Sequence, residues 1–299
     1  MRKRNHAYAR AVEFVVVSVF MSSDDPFSSG NPLAVFTSAP ALSKSQMQAI
    51  ADTFNLSETT FVTSVEDDSY HSRIFTPEEE LGFAGHPTLG TTWVLRRAGA
   101  LRGDDVVQHT SVGATPVHVD GDMLWFERGG RAEDFLLERD PESSARIARA
   151  LGLGVDAIGL EAREMGRPGR LEPAYADAGE RLLIVPVKDP QALAACAPRA
   201  HELAEFGLGV YCVTAAGAGR LRARGFWPLA GIPEDPATGA AAAALGLLLA
   251  ARLGSITASI DQGIEMRRPC RIWLDARADR ARVGGRCGPV LTGRLEGFS

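Results

Sequence analysis

The stretch Gly231–Leu253, GIPEDPATGAAAAALGLLLAARL, decides how the rest of the chain is read. Asp235 suits an N-cap, since its carboxylate can accept from the first free amides of a helix, and Pro236 suits the first helical position, where no amide hydrogen is needed. The pattern therefore predicts a helix opening at Pro236. From Ala240 to Ala251 no side chain is polar, so no face suits water and the helix is expected to lie enclosed on all sides. Thr238, Gly239 and Ala240 put little bulk in front of its N-terminus. Uncovered amides at the positive end of a helix dipole are the layout of an anion site.

Composition sets the frame for that helix. The 299 residues are enough for two domains of ordinary size, and 45% hydrophobic with 23% charged residues match a globular chain rather than a disordered or membrane-embedded one. The 32 basic against 37 acidic residues, a net charge of -5, argue against a nucleic-acid surface and leave small-molecule chemistry. Cys196, Cys212, Cys270 and Cys287 show neither C-x-x-C pairing nor histidine at metal spacing, so neither zinc nor a disulfide framework is suggested and a reducing cytoplasm is the expected compartment. Arg2, Lys3, Arg4 and Arg10 precede the apolar run Phe14–Met21 as in a secretory signal, but Glu13 interrupts the approach and no small-x-small site follows. Phe14–Phe20 reads as a first strand and residues 1–12 as a basic tail.

The chain repeats itself. Arg73-x-Phe75-x-Pro77 recurs as Arg224-x-Phe226-x-Pro228, 151 residues on. Each is followed by a glycine-containing loop and a helix expected to open on proline with glycine three residues later: Pro87 with Gly90, Pro236 with Gly239. Upstream, LAVFTSAPAL from Leu33 resembles LIVPVKDPQAL from Leu183, and LSETTFVT from Leu56 sits opposite LGVYCVT from Leu208. Four matches in one order, at offsets of 149 to 152, point to two related halves joined near residues 119–130, each a strand-rich layer around one apolar helix. Between the strand Leu33–Thr37 and the strand entered along Asn55–Ser64, Ser43 and Gln46 form a capping box before the stripe Met47, Ile50, Ala51 and Phe54. Two-fold pseudo-symmetry would turn both central helix mouths toward one cleft, the usual place for a small-molecule site.

Three side chains near those mouths could carry chemistry. Glu58 stands at the entrance to a strand; alone it also reads as a solvated loop glutamate, but its counterpart near Gly209 and Val210 is not ionisable, so the halves differ where a single acid/base would break their symmetry. His86, just before Pro87, could bind substrate or relay a proton, or cap the helix. Asp235 already has work as an N-cap. Other chemistries find no motif: the chain has no G-x-x-x-x-G-K-S/T loop, no G-x-G-x-x-G unit and no G-x-S-x-G elbow. No cysteine stands at either helix mouth, as a two-thiol racemase would need.

As a set, GNPLAVF (Gly30–Phe36), LSETTF (Leu56–Phe61), ELGFAGHPTLG (Glu80–Gly90), GIPEDPATG (Gly231–Gly239) and QGIEMRRP (Gln262–Pro269) resemble the PhzF-like family of phenazine-biosynthesis isomerases, which share the diaminopimelate-epimerase fold. The resemblance runs over nearly the whole chain from about Glu13. It implies an α+β protein of two pseudo-symmetric domains, each a barrel-like, mostly antiparallel sheet wrapped around a central apolar helix, with the active site between them and usually a homodimer. Residues 13–122 and 123–287 are the expected domains, with about 288–299 completing the first. Glu58 then looks like the acid/base that takes a proton from one carbon of a cyclic amino-carboxylate and returns it to another, with His86 and Asp235 assisting the transfer and orienting the ring. Gly85, Thr88, Thr238, Gly239 and Ala240 are the expected substrate-binding residues. Neither a metal nor an organic cofactor is expected, nor nucleic acid or membrane as a partner.

Three positions depart from the family pattern: Ala240 stands where many members carry serine, Ser18 where an aspartate is common, and Arg267 where glycine commonly precedes the arginine-proline pair. The expected activity is a cofactor-independent isomerase of the trans-2,3-dihydro-3-hydroxyanthranilate isomerase type, moving a proton between carbons of a small cyclic amino- or hydroxy-carboxylate. The rivals are an epimerase or racemase on the same fold, and a catalytically silent binding protein that retains it.

Overall fold

The computed structural model describes residues 11–39, 42–207 and 209–296. Most of the expected basic tail, residues 1–10, lies outside them, and Val12 already belongs to the first strand, Val12–Val19. That strand lies antiparallel to Asn31–Phe36, which runs parallel to Thr59–Glu66. The crossover between the parallel pair carries the helix Lys44–Phe54, opened by Ser43 in a capping box and closed by Asn55 in the left-handed region. Ser69–Phe75 then returns antiparallel and lies parallel to Asp105–Thr110, and the second crossover carries the first central helix, Gly85–Arg97. Gly113–Asp120 and Met123–Gly129 follow antiparallel.

The second half repeats this order. Ala174–Asp177 pairs antiparallel with Arg181–Pro186, which runs parallel to Val210–Ala215. Arg220–Trp227 returns and lies parallel to Ile256–Gln262, with the second central helix, Gly239–Leu253, in the crossover. Cys270–Arg277 and Arg280–Leu295 complete the series. The duplication read from short motifs is thus one of topology.

Two strands tie the halves together. Arg280–Arg286 pairs with Met123–Gly129, while Cys287–Leu295, farther along the same strand, pairs with Val12–Val19 and closes the first barrel. Reciprocally, the chain beyond Gly129 continues as Arg131–Phe135 and pairs with Ala174–Asp177, closing the second. Closing both sheets into barrels leaves them no free edges along these seams.

Each central helix touches strands from all round its barrel. From Ala241 to Ala250 every residue is buried, as a helix without a polar face requires; four of them are leucines, each worth about 1.5–3 kcal/mol on burial. Gly246 lets the helix approach the sheet, because a Cβ there would stand 2.7 Å from Leu274 Cδ1 and 2.9 Å from Ala276 Cβ.

The repeated Arg-x-Phe-x-Pro strands have a structural task. Arg73 grips Glu80 with two hydrogen bonds of 2.7 and 2.8 Å, and Arg224 grips Glu234 with two of 2.9 and 2.8 Å. Such bidentate pairs fix direction as well as distance. Glu80 lies five residues before Gly85, and Glu234 five before Gly239, so the same clamp leads into both central helices.

This register corrects two sequence expectations. The second helix opens at Gly239 with Thr238 as N-cap residue, not at Pro236, and Asp235 ends the short strand Ile232–Asp235 instead of capping the helix. Pro87 lies inside the first turn of its helix whereas Pro236 lies before one, so the proline-glycine pairs are not counterparts; Gly85 and Gly239 are. The extra 3-10 turn Pro228–Ala230 in the second half shifted the spacing.

Candidate active site

Gly85 and Gly239 meet face to face. A Cβ on Gly85 would lie 2.8 Å from the Gly239 Cα, and one on Gly239 would lie 3.1 Å from the Gly85 Cα. Only glycine at both positions lets the two mouths come so near. Neither mouth has a side-chain cap, so the first amides of both helices are left without intrahelical partners at the positive ends of two dipoles. Gly85, His86, Gly239, Ala240 and Ala241 line one cavity of about 340 Å³, a size suited to a small ligand.

Among the described residues no lysine or arginine lines that cavity; its charged lining residues are Glu58, Glu79, Glu80, Glu180 and Asp235. Glu80 is neutralised by Arg73 and Lys44 from outside. The helix mouths face this acidic lining with the positive ends of two dipoles, and Arg128 stands behind the lining residue Phe83, 4.3 Å from its ring centre.

Glu58 immediately precedes the strand Thr59–Glu66 and is only 8% exposed. Its Oε2 makes no hydrogen bond among the described residues, although His86 Nδ1 is 3.4 Å away. Burial first, and the nearby charge of Asp235 second, push its carboxyl well above the usual carboxylate range. Burial holds His86 at about 3, so its imidazole is neutral at physiological pH and the contact with Glu58 is no ion pair. His86 Nε2 is buried and unpartnered too.

Asp235 is as buried as Glu58 but well served. Its Oδ1 accepts from Asn31 Nδ2 and Ser57 Oγ, both at 2.9 Å, and its Oδ2 from Thr238 Oγ1 at 2.6 Å. Burial raises it to about 6 while those three donors pull the other way. Three donors on Asp235 and none on Glu58 Oε2 set the order of the pair: Asp235 keeps the charge and Glu58 holds the proton. The loop bearing Asp235 is fixed by Gln262, whose Nε2 donates to the Asp235 carbonyl at 2.8 Å and whose Oε1 accepts from the Thr238 amide at 3.2 Å.

Glu58, His86, Asp235, Gly85, Thr238, Gly239 and Ala240 all line the cavity. Thr88 does not, which corrects its expected place among the binding residues. Its hydroxyl points into the first barrel, 2.8 Å from the Ala84 carbonyl and 2.6 Å from Gln108 Oε1. Asn31, Ser57, Gln262 and Trp227 escaped the motif reading as members of the site. Asn31 and Ser57 sit inside quoted motifs, but only folding brings them to Asp235 from 204 and 178 residues away.

Paired barrels, each wound on an apolar helix, with a buried carboxyl in the cavity that two abutting helix mouths share, define the class of the diaminopimelate-epimerase-like fold. The chain belongs to the phenazine biosynthesis-like PhzC-PhzF family, whose pattern matches residues 17–293. It is 35% identical over 277 residues, 90% of this chain and 92% of the relative, to the trans-2,3-dihydro-3-hydroxyanthranilate isomerase of Pseudomonas aeruginosa. It is also 35% identical over 293 residues, 89% of this chain and 93% of the relative, to an isomerase of Mesorhizobium japonicum described as uncharacterized. In fold it matches the crystal structure of the Bacillus anthracis phenazine biosynthesis protein of the PhzF family with a TM-score of 0.80 at 22% identity, covering 96% of this chain and 99% of that one.

Proposed function

We propose that the protein is a cofactor-independent isomerase that moves a proton between carbons of a small cyclic amino- or hydroxy-carboxylate, of the trans-2,3-dihydro-3-hydroxyanthranilate isomerase type. The observation that carries this reading is the unpartnered, buried Glu58 carboxyl in one cavity with two uncapped helix mouths. A carbon acid beside a carboxylate or conjugated double bonds yields its proton only if the developing negative charge meets fixed donors. The amides at Gly85 and Gly239–Ala241 are such donors and need no reorganisation.

Glu58 gives its resting proton to solvent before the substrate anion enters, then takes the proton from one carbon and returns it to another as the charge relocates through the bound anion. A carboxyl raised by burial suits both directions, since its proton affinity lies nearer that of the substrate carbon than an exposed glutamate's does. His86 stays neutral beside it, with Nδ1 3.4 Å from Glu58 Oε2. Asp235 remains anionic and orients the ring through its fixed carboxylate or through Thr238. A two-thiol epimerase finds no room here: Gly85 and Gly239 cannot bear a Cβ where they stand, and no cysteine lines the cavity.

We read the molecule as two domains, about 13–122 and 123–287 with the C-terminal strand completing the first, working as a homodimer in the cytoplasm. Among the described residues no helix is long and apolar enough to cross a membrane.

The test is proton NMR of trans-2,3-dihydro-3-hydroxyanthranilate in deuterated buffer. The wild-type protein is expected to relocate the ring hydrogen, and Glu58→Gln to lose about 10²- to 10⁴-fold of that rate. A wild-type protein that leaves the substrate untouched, or a Glu58→Gln protein as fast as wild type, overturns the mechanism.

A further inference from the structure

The second half places an indole where the first half places nothing comparable. Trp227 follows Phe226 in the repeated motif, at the position of Thr76 in the first half, and both line the cavity. The indole rests on two glycines of neighbouring chain segments. A Cβ on Gly209 would run into Cδ1, Nε1 and Cγ of the indole together, and a Cβ on Gly225 would run into Cζ3 and Cη2 at its other end. Near-equal approach to three atoms of the five-membered ring is face-on approach. The two glycines thus form a floor on which the indole lies flat, and the same residue lines the cavity.

The strand register shows what that floor replaces. Val210 pairs with Phe226 as Thr59 pairs with Phe75, so Gly209 stands where the first half has Glu58. Neither Gly209 nor Gly225 has a positive φ. Their lack of a side chain is therefore not demanded by the backbone; it is space, and the indole fills it. The remaining apolar lining includes Leu81, Val112, Leu182 and Ile232, with Phe83 as its other aromatic ring.

We infer that Trp227 is the specificity-determining residue of the cavity: a flat, unsaturated ring of the bound carboxylate lies on its free face, across from Glu58. The inference rests on the reading of the cavity as a carboxylate site. Stacking holds the ring plane fixed relative to the Glu58 carboxyl, so that the carbons exchanging the proton face one oxygen edge. A puckered, saturated ring of the same size and charge loses that contact.

Benzoate and cyclohexanecarboxylate differ in flatness and share their charge, so their relative affinity reads the indole directly. In ligand-observed NMR titrations of the full chain, benzoate is expected to bind wild type about 2- to 10-fold more tightly than cyclohexanecarboxylate. Trp227→Ala should bring the ratio to about one, and Trp227→Phe should keep part of it. Gly209→Ala retains the indole but lifts it from its floor, and should also lower the ratio while a thermal melt shows the protein folded. Equal affinities in wild type, absence of binding by either probe, or a ratio that survives Trp227→Ala in folded protein overturns the inference. The outcome is separable from the reaction itself. A wild-type protein that shows the ratio but no proton shift refutes the isomerase and leaves ring recognition standing; a proton shift with no ratio does the reverse.

Discussion

The loop from Thr76 to His86 and the loop from Trp227 to Ala240 occupy the same place in the two halves, and they agree in all that concerns scaffolding. Each follows an Arg-x-Phe-x-Pro strand, each is held by an arginine gripping a glutamate five residues before a glycine, and each ends at an uncapped helix mouth. They disagree in every residue with chemistry to offer. The first half brings Glu58 and His86 where the second has Gly209 and Ala240; the second brings Asp235 and Trp227 where the first has Leu81 and Thr76. Duplication supplies a two-fold electrostatic frame, and divergence then divides the reactive groups between its sides. A symmetric cavity would hold a symmetric anion as well one way as the other, whereas moving a proton from one carbon to a particular other carbon needs an oriented substrate.

The comparison is broken most severely by removing the glycine contact that both halves share. Gly85→Ala would push the two mouths apart by driving its methyl into Gly239, and displacement of fixed donors by about 1 Å is worth on the order of 10²-fold in turnover. We expect that loss in kcat, with a lower melting temperature. Normal kcat in Gly85→Ala would mean that the abutting mouths are packing and not machinery.

A second prediction sharpens the contrast between the two carboxyls. Asp235 sits at about 6 against an ordinary 3.8, and Glu58 is raised well above 4.5. Both contribute stability that is complete below their unfolded values and lost as pH rises through the folded ones. His86, at about 3 against 6.5, runs the other way: its contribution is complete above 6.5 and is lost as pH falls toward 3. Glu58→Gln removes a buried, unpartnered acid, so it should stabilise the protein by about 1–3 kcal/mol at pH 8 and have little effect near pH 4. Calorimetry at the two pH values checks this, and a gap that fails to widen with pH would show Glu58 to be better solvated than its surroundings imply.

How much of this was legible before folding depends on the range of the signal. The apolar helix, the Ser43 capping box and the repeated Arg-x-Phe-x-Pro strands are local patterns, and they led to the duplicated architecture. Glu58 stood out because it lacked an ionisable counterpart. The helix start is not legible locally, because Asp235-Pro236 satisfies local capping rules while two of the three side chains that claim Asp235, Asn31 and Ser57, come from the other half. Pro87 and Pro236 align in sequence without being counterparts because the turn Pro228–Ala230 has no equivalent in the first half. Trp227 gave no signal at all, since its slot consists of two glycines that only strand pairing brings together.

Thr88 tests how far toward the barrel interior the binding surface reaches. It is fully buried, and its hydroxyl serves Gln108, whose Nε2 in turn donates to Ser72 at 3.0 Å. Thr88→Val keeps the shape and leaves Gln108 Oε1 without that donor, which should destabilise by about 1–3 kcal/mol. Steady-state kinetics should shift by less than about twofold. A large rise in KM without loss of stability would return Thr88 to the site.

The smallest expected effect concerns one of the positions that depart from the family pattern. Arg267 adopts a φ of +58°, in the left-handed region that a side chain resists and glycine accepts. The turn there delivers Arg268, whose guanidinium donates from Nε to the Gly30 carbonyl at 2.6 Å and thereby pins the loop before Asn31, the residue that reaches across to Asp235. The hold of Arg268 on Gly30 thus imposes the turn geometry, and Arg267 bears the strain. Arg267→Gly relieves that strain but gives the unfolded chain more freedom, so the net gain should be about 0.5–1 kcal/mol, with kcat unchanged. A destabilised Arg267→Gly protein would mean that the arginine side chain makes contacts worth more than the strain of its backbone.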